Sequence, residues 1–127
     1  MNKSSSARSR TVLALALLAG SLPGLAHHSS AMFDMDKLVT LTGTVTEFQW
    51  TNPHCFIQLA VARGAATEEW SIEMGAPIQL FERGWKRSSV KPGDRISVVI
   101  HPMRDGSKGG AIVSAATADG TPIGKKT

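Results

Sequence analysis

Four histidines, His27, His28, His54 and His101, carry the most distinctive chemistry available to this 127-residue chain. Neutral imidazole is the commonest protein metal ligand and suits copper, zinc and nickel. His27 has a second asset if the chain is cut just before it: a free α-amine and a ring nitrogen on one residue chelate a single ion. A third nitrogen from His54 or His101, each next to a proline, would complete a set resembling a copper histidine brace. His28 would substitute or stand behind. Nitrogen sites bind Cu(II) most tightly among first-row divalent ions, so copper is the expected cofactor if a metal is held. Met32, Met35 and Met103 could add thioether sulfur for Cu(I), although the everyday role of methionine is filling gaps in a core. The single cysteine, Cys55, shares parity with Ile57, Leu59 and Val61, so it is expected to face inward as a structural thiol, away from His54.

A second constellation is basic. Arg83, Lys86, Arg87, Lys91 and Arg95 crowd around Trp85, and Trp85, Arg87 and Lys91 form the alternative ligand-binding set. An anionic glycan, a lipid headgroup or a protein partner would suit it. No catalytic motif is present: there is no Gly-x-Ser-x-Gly, no phosphate-binding loop and no His-Glu-x-x-His. Glu68, Glu69 and Glu73 look like a solvated strand face. No enzyme is therefore expected.

The formal charge of +4 is misleading until its position is considered. Lys3, Arg8 and Arg10 precede an apolar run from Val12 to Ala19, followed by Gly20, Pro23 and Gly24-Leu25-Ala26. That order predicts a signal peptide over 1–26, cleaved after Ala26, with a periplasmic or secreted product. The run falls well short of the roughly 20 apolar residues that span a bilayer, so no transmembrane anchor is expected after cleavage. Downstream of Ala26 there are 11 Lys/Arg against 10 Asp/Glu. The expected partners are thus a metal ion or small ligand and not nucleic acid; one cysteine also rules out an internal disulfide.

The elements that must position these residues follow from periodicity. Residues 27–37 lack a period and read as an N-terminal arm. Val39, Leu41, Gly43 and Val45 alternate with threonines, the signature of a half-buried strand. The phase shifts before Phe48 and Trp50, which a bulge permitted by Gly43 would explain. Asn52-Pro53 marks a turn into a second strand, and Arg63-Gly64-Ala65-Ala66 a hairpin into a third, Glu69 to Met74. Pro77 to Gly84 is a short helix. Ile96, Val98 and Ile100 alternate in a fourth strand, and Ala111, Val113, Ala115 and Thr117 in a fifth, with Val113 expected to face inward. Three strands, a helix and two strands predict an all-β domain with one short helix, a five-stranded Greek-key barrel like the OB-fold, over 38–118, with a flexible tail at 119–127.

The mature chain also resembles a family of small exported bacterial proteins known only as a domain of unknown function. The residues carrying the resemblance are Ala26-His27-His28-Ser29, Phe48-Gln49-Trp50-Thr51-Asn52-Pro53-His54, Glu69-Trp70, Gly84-Trp85, Lys91-Pro92-Gly93-Asp94 and His101-Pro102 through Arg104-Asp105-Gly106. The resemblance implies an exported single-domain protein and names no substrate.

Overall fold

The computed structural model describes residues 30–124. The expected leader, His27, His28 and residues 125–127 lie outside them.

Strand β1 (Val39–Gln49) buries Leu41, Gly43 and Val45 and exposes Thr40, Thr42 and Thr46, as alternation requires. Its register with β2 (Phe56–Arg63) slips between Val45 and Glu47. The bulge returns Phe48 to the inner face, opposite Ile57. Gly43 has a different role from the one expected. A Cβ there would strike the Ala60 carbonyl oxygen and come within 2.9 Å of Leu59 Cγ, so only glycine lets β1 approach β2 this closely.

A two-residue turn, with Gly64 at φ 60°, joins β2 to β3 (Ala66–Glu73) in unbroken antiparallel register from Arg63↔Ala66 to Phe56↔Glu73. After α1 (Pro77–Glu82), strands β4 (Arg95–Pro102) and β5 (Gly109–Thr117) form a second hairpin. β4 pairs antiparallel with β1, and β5 pairs parallel with β3 from Ser71↔Gly109 to Glu73↔Ala111. That last pairing closes five strands into a barrel in the order β3-β2-β1-β4-β5. With its helix between the third and fourth strands, this is the OB-fold. Ile57, Leu59, Ile72, Ile96, Val98 and Ile100 fill it, each at most 1% exposed. Burial of each such side chain contributes about 1.5–3 kcal/mol.

Helix α1 starts with Pro77 at its first position, and the Gln79 side chain accepts the Ala76 N–H at 3.0 Å. It ends in a left-handed Gly84, φ 81°. Gly84 N–H donates to Phe81 O and Trp85 N–H to Leu80 O, the paired bonds of a Schellman stop. Leu80 and Trp85, joined by that turn, are both buried.

Two expectations need correction. Val113 is 40% exposed instead of inward. The β4–β5 register runs Val99↔Ser114 and then Ile100↔Ile112, which leaves Val113 as the extra residue of a bulge. Ile112, packed on the core, and buried Ala115 face inward on either side of it. A short β6 (Pro122–Ile123) also pairs with Ala115 and Ala116, where the sequence suggested only a tail.

Candidate functional site

His101 sits at the end of β4, one residue past buried Ile100 and therefore on the outer face. Its Nδ1 lies 2.8 Å from the carbonyl oxygen of Lys37. A carbonyl only accepts, so Nδ1 bears the proton and the lone pair is on Nε2. Lys37 belongs to the arm that precedes β1, which continues along β4: Asp34 N–H donates to Pro102 O, Phe33 bridges Met103, and Arg104 N–H donates to Met32 O. Phe33 anchors this arm, 6% exposed. Arg104 Nε also donates to Ala31 O. The Asp34 carboxyl is held below its usual range by its hydrogen bond from Lys37, against some desolvation.

Met32 and Met35 lie in the same arm and are 38% and 49% exposed. They are not core fillers, which removes the ordinary packing role for both. Met35 belongs to the turn between Asp34, bonded to Pro102, and Lys37, bonded to His101.

His54 belongs to the β1–β2 loop, just after the cis Asn52–Pro53 peptide. Its Nδ1 lies 2.9 Å from Met74 O and 3.1 Å from Glu73 Oε1, both acceptors, so here too the Nδ1 proton points inward to protein. Cys55 is fully buried, as its parity implied, and burial raises its thiol pKa. It is not placed to act as a ligand.

Register separates the two histidines. His101 pairs with Ala111, Ala111 with Glu73, and Glu73 with Phe56, which is two residues from His54. Because the His54 ring touches the Glu73 carboxylate, the separation that counts is the two interstrand steps from Glu73 to His101, roughly 10 Å along the barrel wall. The structure thus does not bring His54 and His101 to one point, and among the described residues no three His, Cys, Asp or Glu side chains converge as a metal site. Sequence reasoning missed Glu73 as the partner of His54. Counting back along the hairpin from Arg63↔Ala66 would have set Cys55 beside Met74 and revealed it.

The alternative set is dispersed. Trp85 is 6% exposed, packed on Phe48 with ring centroids 6.2 Å apart, and cannot serve as an open stacking platform. Lys91 is engaged with Asp94 at 2.9 Å, and its hydrogen bonds lower the Asp94 pKa. Arg87 reaches the Trp50 carbonyl at 3.5 Å. Beside Trp85 an open groove of about 900 Å³ is lined by Leu80, Arg83, Val99, Ile112 and Ile123. Among the described residues no helix is long and apolar enough to cross a membrane.

A model of a family of unknown function, DUF6152, matches residues 14–113. With that much of its length matched, the chain belongs to this family. No curated protein matches it significantly. Among solved structures it is similar to the mitochondrial single-stranded DNA binding protein Rim1 of S. cerevisiae, at 15% identity and a TM-score of 0.48, over 65% of this chain and 94% of that one. The sequence predicts no nucleic-acid partner; that solved protein is named for binding single-stranded DNA, so the exclusion is withdrawn. The coarser reading, a small domain of a family of unknown function built on an OB-fold, stands.

Proposed function

Given a family with no assigned activity, we propose that the protein is an exported metal-handling module that holds copper at its mature N-terminus, with His101 as the added imidazole. His27 would supply its amine and ring, and His28 would stand as substitute. His54 is the alternative third ligand. The observation that carries this reading is the His101 ring, whose Nδ1–H is held by the Lys37 carbonyl. Metal-ligating histidines are oriented in this way, by a carbonyl on the nitrogen that does not bind. Two further facts support it. The arm runs antiparallel beside Pro102–Arg104, just after His101, so that Ser30 lies beyond Arg104, and the three peptide steps from Ser30 back to His27 span at most about 10 Å of extended chain. Exposed Met32 and Met35 in that arm offer thioether for the Cu(I) state. Copper is cargo here, and no reaction is assigned.

Titration of Cu(II) into the chain beginning at His27 tests the proposal. His101→Ala is expected to weaken binding at least tenfold, the scale on which a lost ligand or its support acts, while His54→Ala leaves it within a factor of two. Equal affinity in wild type and His101→Ala would overturn the assignment of the third nitrogen, and a reversed pattern would transfer it to His54.

A further inference from the structure

Helix α1 buries one side chain, Leu80. Ile78 and Phe81 are 65% and 63% exposed, with Leu38 at 63% the most open large apolar side chains among the described residues. Spaced i, i+3, they are neighbours on one helix face. The chain then turns at Gly84 and carries Arg83, Lys86 and Arg87 at the surface directly after this face. Trp85, between them, is withdrawn into the core.

Charge is divided sharply across the molecule. Over residues 77–95 five Lys/Arg stand against two acidic groups, Glu82 and Asp94, and Asp94 is occupied by Lys91. Over all other described residues four Lys/Arg stand against eight acidic ones. The exposed apolar pair therefore sits within a basic segment, while the other described residues are net acidic. Side chains that insert among acyl chains, ringed by cations that meet headgroup phosphates, are the two components of peripheral binding to an anionic bilayer.

We infer that the α1 pole, formed by Ile78, Phe81, Arg83, Lys86 and Arg87, is a docking surface for an anionic lipid bilayer. This is independent of the metal proposal, since it uses none of the histidines. It also replaces Trp85 and Lys91, the sequence-level candidates, by residues the fold leaves accessible. A bilayer suits the patch because a dissolved polyanion would use the cations and leave Ile78 and Phe81 in water.

The test is co-sedimentation of the chain from His27 onward, which carries every described residue of the barrel. The vesicles are phosphatidylcholine alone, or phosphatidylcholine with one third phosphatidylglycerol. The partition coefficient is expected to be at least tenfold higher on the anionic vesicles and to fall with salt. Arg83→Ala, Lys86→Ala and Arg87→Ala should each lower it roughly fivefold, and Ile78→Ser and Phe81→Ser severalfold. All five are exposed, and only Arg87, which reaches the Trp50 carbonyl, makes a bond whose loss could lower the melting temperature, by a few degrees at most. Arg63→Ala, which removes one charge elsewhere as each of those variants does, should leave binding unchanged. Equal binding to both vesicles, binding to neither, or full binding after Ile78→Ser with Phe81→Ser would overturn the inference. So would a control variant as weak as the α1 variants. Stronger retention of a single-stranded oligonucleotide through the same cations, indifferent to Phe81, would make the surface a nucleic-acid site instead.

Discussion

At the level of single residues, short polar turns set the acid response. Asp119 accepts from the Thr117 hydroxyl and from the Thr121 N–H, and these bonds hold its pKa down to about 2 from the usual 3.8. Asp105, bonded by Ser107, shifts the same way. Glu68 is raised by desolvation, but hydrogen bonds from Lys108, Trp70 and Arg63 outweigh that and lower it overall. A depressed carboxylate binds fewer protons when folded than unfolded. Its stabilisation is complete above the unfolded value and is lost as pH falls through the folded one. Urea midpoints should therefore decline as pH drops from about 5 to about 2, and Asp119→Asn should flatten the lower part of that decline; a parallel curve would show that the turn does not couple to folding. The same scale shows what was legible about the histidines. Their identity and proline neighbours were visible, but their acceptors, Lys37 and Met74, are main-chain carbonyls 64 and 20 residues away, and no residue type announces such a partner.

Among the elements, alternation identified β1, β2 and β4 because threonine and aliphatic residues trade places on two faces at period two. It failed at β5, where parity was counted through a bulge and assigned Val113 inward. It was also silent on closure. The β3–β5 pairing rests on Gly109 and Gly110, both buried, and a Cβ on Gly110 would meet the His101 carbonyl. Glycine in a loop-like run carries no signal of a long-range contact. Trp85 was misjudged for the opposite reason: charged neighbours surround it in sequence, while the turn at Gly84 sends it inward alone. Gly43 offers the sharpest check on the packing account. Gly43→Ala places a methyl against the Ala60 backbone, which has no rotamer with which to yield, and is expected to destabilise by about 1–3 kcal/mol. Urea unfolding measures this, and a change below about 0.5 kcal/mol would mean that β1 and β2 are less closely apposed than described.

For the whole molecule, an OB barrel offers several surfaces, and fold alone selects none of them. The selection comes from where the chain puts its reactive groups: the arm, with His101 and its methionines, at the end of β4, and the positive apolar face on α1. Acidification should release a metal from the first, because protons compete with the metal for the amine and ring nitrogens. The central claim rests on the α-amine of His27, and acetylating that one group leaves every side chain in place. Cu(II) affinity of the chain beginning at His27 should fall at least tenfold on acetylation, as expected when one of three nitrogens is removed; equal affinity before and after would contradict the terminal chelate.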